Sequence, residues 1–243
     1  MTTPRPSSLE DAIGSPADAE RLRAVSPPAF AAAAGFWRSA FEVRHLSPRM
    51  KELILVALHA SPSSLNAAAI ARHVARAKVA GATDGDILDV LLSIVGLANH
   101  PLYFAVPVVM DELKAAGRTE DATAPPLRAD VQALKDDFIK TRGVWNPQRD
   151  QLASLMPDYF KPFITLSMEP WKSGSLLPKE RELVYIAIDS SVTHTHEGGL
   201  RLHVRNALKH GANRDEILET LHLCSLMGME SYILGCQALN ATT

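Results

Sequence analysis

RELVYIAI at residues 181–188, followed by LRLHVRNALKHGANRDEILETL at residues 200–221, is the stretch that decides the fold of this chain. Apolar residues of the second segment recur at i, i+4, i+7 and i+8, which places them along one face of an α-helix. They are Leu200, Val204, Ala207 and Leu208. No alternating strand pattern competes with this spacing. The stretch therefore predicts consecutive helices.

The same pattern occurs a second time, 130 positions earlier in the chain. With that shift, residues 48–91 give 13 identities in 44 ungapped columns. In the first copy the identical positions are Pro48, Glu52, Leu53, Ala57, Ser61, His73, Val74, Ala77, Gly81, Ala82, Ile87, Leu88 and Leu91. Pro27 and Phe30 also fall on Pro157 and Phe160, so each copy begins one helix earlier. The sequence predicts a tandem duplication of one helical unit.

Helix boundaries are marked alike in both copies. In the first copy, Pro48 suits the first turn of a helix and Gly81 suits a left-handed helix end. Thr83 suits the next N-cap, with Asp86 three residues later as an approximate capping box. Their equivalents in the second copy are Pro178, Gly211, Asn213 and Glu216. The second copy is expected to start and stop its helices at the same places.

These patterns divide the chain into four segments. Residues 1–26 are predicted to form an N-terminal arm that packs on a neighbour or stays loose. Residues 27–115 form the first helical repeat, and residues 157–243 form the second. Residues 116–156 are a linker that begins with turn formers and adds one or two connecting helices.

Composition limits the classes of partner. With 25 basic and 27 acidic residues, the formal charge is -2, and no basic run favours a nucleic acid or a membrane surface. The start of the chain has no signal-peptide pattern, and no stretch reaches the roughly 18 uninterrupted apolar residues of a membrane-spanning helix. We expect a soluble, cytoplasmic protein whose partners are a small molecule and other copies of itself.

The motifs resemble those of the carboxymuconolactone decarboxylase and alkyl hydroperoxidase D-like superfamily. The resemblance rests on a Glu-Leu pair that opens an apolar helix, a histidine near the start of the next helix, and the motif A-x-x-x-G-A-[TN]-x-x-[DE]-I-L. It covers most of each repeat and implies an all-α fold without a cofactor. The second copy is similar to the lactone decarboxylase branch in particular.

The redox branch of that superfamily carries a C-x-x-C motif just ahead of the histidine. Here those columns hold Asn66 and Ala69 in the first copy, and His196 and Gly199 in the second. None of these side chains can do thiol chemistry, so a thiol peroxidase is excluded. Cys224 and Cys236 are expected to be ordinary core thiols. The chain also departs from the decarboxylase branch, since Glu197 lies six residues before His203 rather than about one helical turn.

His203 and Glu182 are the central candidates for catalysis. A carboxylate that orients an imidazole and raises its basicity produces a general acid or base near neutral pH. The same pairing also fits a purely structural contact, and His73 with Glu52 repeats it in the first copy. Both interpretations remain open for the sequence.

The densest group of candidate residues surrounds His203 in the second copy. His194, His196 and Glu197 complete the predicted catalytic set. His196, Gly199 and His203 are predicted to share one helix face, where Gly199 leaves room for a pocket. Arg201 and Arg205 are candidates for binding a carboxylate substrate, with a solvated helix face as the alternative.

Three functional hypotheses follow. The first is a cofactor-independent lyase or isomerase that acts on a small carboxylated lactone or oxo acid, with His203 as proton carrier. The second is a metal-dependent hydrolase or oxygenase whose ligands are His194, His196 and His203, with Glu197. The third is a non-catalytic ligand-binding member. The first copy lacks most of the cluster, so its site is predicted to be degenerate, and the assembly is predicted to be a homotrimer or a homodimer.

Overall fold

The computed structural model describes residues 7–242, which form fourteen α-helices, one 3₁₀ segment and no β-strand. The helices are α1 (Leu9–Ile13), α2 (Pro16–Val25), α3 (Pro27–Glu42), α4 (Pro48–Ala60), α5 (Ala67–Val79), α6 (Asp84–Ile94), α7 (His100–Ala115), α8 (Ala129–Arg142), α9 (Gln148–Leu155), α10 (Pro157–Lys172), α11 (Pro178–Asp189), α12 (Glu197–Lys209), α13 (Arg214–Ser225) and α14 (Met227–Ala241). The 3₁₀ segment is Val95–Asn99. The predicted all-α class and the tandem helical repeat are confirmed.

The marked residues do begin and end the helices. Pro48 and Pro178 are the first residues of α4 and α11. Gly81 and Gly211 have φ values of +93° and +86°, a region that side chains with a Cβ rarely adopt. Thr83 and Asp86 exchange hydrogen bonds of 2.9 and 3.1 Å between backbone and side chain, which makes a full capping box.

The described chain divides into two compact units that do not follow the repeat boundaries. Among the described residues, the first unit contains residues 7–91 and 176–242, and the second contains Leu92–Ser175. Helices α4 to α6 of the first repeat therefore lie in the same unit as α11 to α13 of the second, apart from the last residues of α6. Helix α10, which opens the second repeat, belongs to the second unit.

Helices α4 and α11 form the centre of the first unit. Both are buried along nearly their whole length, and they pack against each other and against α5 and α12, respectively. In the turns that follow them, the equivalent residues Ser63 and Thr193 contact each other, with 2.8 Å between Oγ and Oγ1. Contact between equivalent positions indicates a pseudo-twofold relation between the central helices of the two copies.

Two buried ion pairs are exchanged between the copies in the same way. Lys51 Nζ on α4 lies 2.6 Å from Glu219 Oε1 on α13, and Arg181 Nη2 on α11 lies 2.9 Å from Asp89 Oδ2 on α6. Positions 51 and 181 are equivalent, as are 89 and 219. All four side chains are buried, so loss of one partner would leave an uncompensated charge. Within the first unit, these pairs join α4 to α13 and α11 to α6.

The N-terminal helices pack on their own chain. Leu9 and Ile13 of α1 are buried, and Gln237 Nε2 on α14 donates a hydrogen bond of 3.1 Å to the carbonyl of Ala12. Residues 7–25 thus form ordered helices that pack on their own chain, whereas the sequence predicted an arm that packs on a neighbour or stays loose. Residues 1–6 of the predicted arm lie outside the described residues.

The second unit has its own apolar core. It is built around Val131, Phe138, Leu152, Phe160 and Ile164, which belong to α8, α9 and α10. Helices α8 and α9 occupy the segment for which one or two connecting helices are predicted.

Asp84–Ala115 is long and apolar enough to cross a membrane by length and composition alone. Core helices of soluble proteins share that property, so it is weak evidence for a membrane. The stretch is also not one regular α-helix, because the 3₁₀ segment interrupts it between α6 and α7.

Candidate active site

Glu182 and His203 meet between α11 and α12. Glu182 faces the interior of the unit, and its Oε2 lies 2.6 Å from His203 Nδ1. Its second oxygen accepts a hydrogen bond of 3.2 Å from Asn206 Nδ2. The ring of Tyr185 lies against His203, with 4.6 Å between centroids. In the neutral ring Nδ1 donates to Glu182, so Nε2 is the acceptor on the opposite edge.

Asp189 lies on that opposite edge, although the sequence does not predict it as a site residue. It is the last residue of α11 and is 2% exposed. Three histidines each place one ring nitrogen within 4 Å of its carboxylate. The distances are 3.6 Å from His194 Nε2, 3.9 Å from His196 Nδ1 and 3.8 Å from His203 Nε2. The repeat alignment offered one signal, because it matches Asp189 with His59. Only the fold brings the three rings to it.

Burial and charge make Asp189 a proton donor near neutral pH. Burial, together with the negative charge of Glu182, raises the pKa of Asp189 to about 7. Burial lowers the pKa of His194 and of His196, and the neighbouring His196 ring lowers that of His194 further. Those two rings are therefore neutral at pH 7, whereas the Asp189 carboxyl group titrates there.

The turn between α11 and α12 directs His194 and His196 back towards Asp189. Thr195, between the two histidines, has a positive φ of +43°, and its equivalent Leu65 has a φ of +45°. Few residues other than glycine adopt this region, and both copies do so at the same position. The backbone N–H of His196 donates a hydrogen bond of 2.8 Å to the carbonyl of Asp189, which closes the turn.

His196, Gly199 and His203 all face the Asp189 carboxylate, but His196 lies just ahead of α12 and not inside it. It is the N-cap residue of α12, and its Nδ1 accepts a hydrogen bond of 3.0 Å from the Gly199 N–H. The space at Gly199 is filled by Asp189, because a Cβ at that position would overlap the Asp189 carboxylate. Gly199 thus permits the close approach of Asp189 to α12.

Glu197, Arg201 and Arg205 lie on the solvent side of α12. Arg201 Nη2 contacts Glu197 Oε1 at 2.6 Å, and both side chains are about three-quarters exposed. Arg205 is exposed as well. Of the predicted site residues, the structure therefore brings together His194, His196, His203 and Glu182. It leaves Glu197, Arg201 and Arg205 on the surface. Glu197 and Arg201 are four positions apart (i, i+4), which gives an ordinary surface pair on a helix.

The first copy has the same carboxylate–imidazole pair with a different neighbour. His73 Nδ1 lies 2.8 Å from Glu52 Oε2, and His59 replaces the carboxylate of Asp189. The rings of His59 and His73 stack, with centroids 5.3 Å apart and planes at 11°. Burial, His73 and Arg72 together lower the pKa of His59 to about 3, so this ring stays neutral at pH 7. The residue that replaces Asp189 therefore does not titrate near neutrality.

Two groups of atoms bear on the other hypotheses. The carboxylate of Asp189 and one nitrogen each of His194 and His196 lie within 4.8 Å of one another, which suits a metal ion. In this group Asp189, and not the predicted His203, would be the third ligand. The thiol of Cys224 is buried, and burial raises its pKa to about 12, so a reactive thiolate is disfavoured.

Comparison with known proteins bears on the family. The sequence profile of the carboxymuconolactone decarboxylase family matches residues 27–106 and 157–241, which together make up more than half of the chain. The chain belongs to the carboxymuconolactone decarboxylase family. The two matched segments correspond to the two repeats, so this member of the family carries its unit twice.

The likeness to one solved structure extends over nearly the whole of this chain. It is a protein of Burkholderia xenovorans LB400, provisionally described as a gamma-carboxymuconolactone decarboxylase subunit. It shares 34% sequence identity and a TM-score of 0.86 with this chain, and the match covers 99% of this chain and 98% of the other. A search of curated proteins found no match.

Proposed function

We propose that this protein is a cofactor-independent decarboxylase of a small carboxylated lactone or oxo acid, with its active site in the second copy. One observation carries the proposal: a buried carboxyl group with a pKa of about 7, Asp189, lies 3.8 Å from an imidazole that Glu182 holds. The family to which the chain belongs and the likeness to a decarboxylase subunit support the reaction type.

The reaction needs one stabilised anion and one proton. The carbon–carbon bond to the carboxylate breaks, its electron pair moves into a conjugated carbonyl, and carbon dioxide leaves. The resulting enolate then takes a proton at carbon. His203 is the proton carrier in this scheme, Glu182 is its positioning residue, and Asp189 supplies the proton to Nε2.

His196 and His194 have the properties of donors to the enolate oxygen. Because Nδ1 of His196 accepts the Gly199 N–H, the hydrogen of the neutral ring lies on Nε2. A neutral imidazole can donate from that atom without giving up its proton. Both rings are partly exposed, so a ligand can reach them.

Turnover of 4-carboxymuconolactone by the purified chain is the direct test. We expect carbon dioxide release from the wild-type protein, and loss of at least about 100-fold for both His203→Ala and Asp189→Asn with the fold intact. Arg201→Gln is the matched control, since this exposed arginine pairs with Glu197 on the solvent side of α12. Absence of carbon dioxide release from this substrate and from related carboxylated lactones would refute the proposal.

The grouping of Asp189, His194 and His196 supports a metal-dependent hydrolase or oxygenase as the second candidate. Elemental analysis separates it from the first. A stoichiometric transition metal, and activity lost with a chelator and regained with that metal, would favour the second candidate over the decarboxylase.

We also propose that the protein is cytoplasmic and associates with itself, as a homotrimer or else a homodimer. The last helix of each repeat exposes apolar side chains at equivalent positions: Phe104 and Val109 on α7, and Leu234 and Leu239 on α14. Repeated exposure of this kind is typical of an interface. The Burkholderia protein is itself described as a subunit.

A further inference from the structure

The first copy contains a cavity of about 750 Å³ in the first unit. Residues at the end of α3, the start of α4 and the end of α5 line it. Phe41 and Val79 contribute to its apolar wall, and Arg44, Lys51, Glu52 and Arg76 are among its charged groups. This volume is within the range of roughly 300 to 1,000 Å³ that small-molecule sites occupy.

The balance of charge around this cavity is positive. Lys51 is matched by Glu219 at 2.6 Å, and the carboxylate of Glu52 accepts from Arg76 Nε at 2.8 Å as well as contacting His73. Arg44 is exposed at the cavity and forms no ion pair among residues 7–242. Lys51 and Arg76 are each balanced by a carboxylate, and Arg44 adds one further positive charge at the cavity, which favours an anionic ligand.

The second copy shows that the fold does not need these arginines. In the repeat register, Gly174 replaces Arg44 and Asn206 replaces Arg76. Asn206 still donates to the glutamate of its own copy, at 3.2 Å, so the hydrogen bond to that carboxylate survives without a cation. Two arginines beside an apolar wall therefore belong to the first copy alone, and the second copy keeps the same helix packing without either cation.

We propose that this cavity is a binding site for a small carboxylate with an apolar body. The carboxylate binds Arg44 and Arg76, whose planar guanidinium groups suit it. The apolar body packs against Phe41 and Val79. The guanidinium of Arg76 already lies 6.0 Å from the centre of the Phe41 ring, so charge and aromatic surface face the same space. The site is separate from Asp189 and His203, and it does not depend on the decarboxylase proposal.

Calorimetric titration of the full chain with benzoate tests this inference, with benzamide as the uncharged analogue and inorganic phosphate as the anion without an apolar body. We expect benzoate to bind, and benzamide and phosphate to bind at least about 10-fold more weakly. Arg44→Gln and Arg76→Asn are each expected to weaken benzoate about 10-fold. Arg76→Asn introduces the residue that the second copy already carries, so the fold should tolerate it.

Two further variants locate the ligand. Val79→Trp, at a largely exposed position on the cavity, is expected to block binding without changing the charge. Arg118→Gln, in an exposed pair with Asp121 far along the chain, should leave the affinity unchanged. Failure of benzoate to bind would overturn the inference. So would equal binding of phosphate, or binding that Asp189→Asn abolishes and that Arg44→Gln, Arg76→Asn and Val79→Trp leave intact.

Discussion

Asp189 and His59 occupy equivalent positions, and burial acts on them in opposite directions. Burial disfavours the charged form of either group, so it raises the pKa of the carboxyl to about 7 and lowers that of the imidazole to about 3. The first change makes a group that exchanges protons near pH 7, and the second makes one that does not. The difference at this position therefore contributes to separating a site suited to acid–base chemistry from one that is not, alongside the absence of His194 and His196 from the first copy.

The sequence predicted much of this site at the level of residues. Both Glu–His pairs follow from the spacing of motifs in two aligned copies, and the structure has both. Asp189 was missed because its importance lies in burial and in three rings that come from a turn and another helix. The candidates Glu197 and Arg201 were chosen by residue type, and a helix periodicity alone does not say which polar residues face solvent.

The stability of the protein should depend on pH with opposite slopes at these two positions. Asp189 has a folded pKa of about 7, above its ordinary value, so the folded state holds this proton more tightly and its stability falls as pH rises from about 4 to 7. His59 has a folded pKa of about 3, below its ordinary value, so the unfolded state binds the proton and stability rises with pH from about 3 to 6.5.

Urea unfolding of two asparagine variants at pH 4.5, 6 and 8 measures this difference. Asp189→Asn should abolish the decrease in stability that deprotonation of Asp189 causes in the wild type. The free energy of unfolding of this variant should therefore rise relative to that of the wild type as pH increases. His59→Asn should show the reverse and lose ground over the lower part of the range. Parallel pH profiles for the wild type and both variants would show that neither group titrates as its burial implies.

His203 and His73 should differ in their effect on turnover. Each contacts a buried glutamate, so His203→Ala and His73→Ala should both lower the free energy of unfolding, by about 1 to 3 kcal/mol, because one carboxylate oxygen loses its buried donor. Only His203→Ala should also lower kcat, by about 100-fold or more. His203→Gln keeps a hydrogen bond without a titrating group and should restore stability better than activity. Equal retention of turnover in both alanine variants would leave His203 with a structural role alone.

At the scale of helices, local sequence determines most boundaries, and tertiary contacts determine the role of the residues at the helix ends. Pro178 and Gly211 predict where α11 begins and where α12 ends. The first residue of α12 is less well determined, since His196 was expected inside the helix and is its N-cap. That difference matters chemically, because the cap makes Nδ1 the acceptor and places the hydrogen of the neutral ring on Nε2 of His196.

Gly199→Ala tests how closely α11 and α12 must approach each other. A methyl group there would overlap the Asp189 carboxylate, so we expect a loss of about 1 to 3 kcal/mol of stability and a displaced Asp189. The reverse change at the equivalent position of the first copy, Ala69→Gly, removes a buried methyl group and should cost only about 1 kcal/mol. Thermal unfolding of both variants makes the comparison. If Gly199→Ala proved as stable as the wild type, Asp189 would have room to move and its position would not be fixed by α12.

At the scale of the whole chain, the sequence repeat and the compact units divide the molecule differently. The repeat was visible because 13 identities survive without a gap. The units were not, because the exchanged pairs Lys51–Glu219 and Arg181–Asp89 join segments about 90 to 170 residues apart, and no local pattern links them. The conservative changes of Lys to Arg and Asp to Glu between copies are the one sequence signal that was available.

Self-association should depend on the exposed apolar side chains of α7. Phe104 and Val108 are four residues apart on one face, and Phe104 is 76% exposed, which is costly for a large aromatic ring in water. We therefore expect Phe104→Ser with Val108→Ser to convert the assembly into smaller species at micromolar concentration, as measured by light scattering during size exclusion. Helical content should be unchanged, because neither side chain is part of the core. Exposed Lys114→Ser, on the same helix, is the control and should leave the assembly intact. A wild-type chain that is a stable monomer at that concentration would refute self-association and leave the apolar face of α7 for another partner.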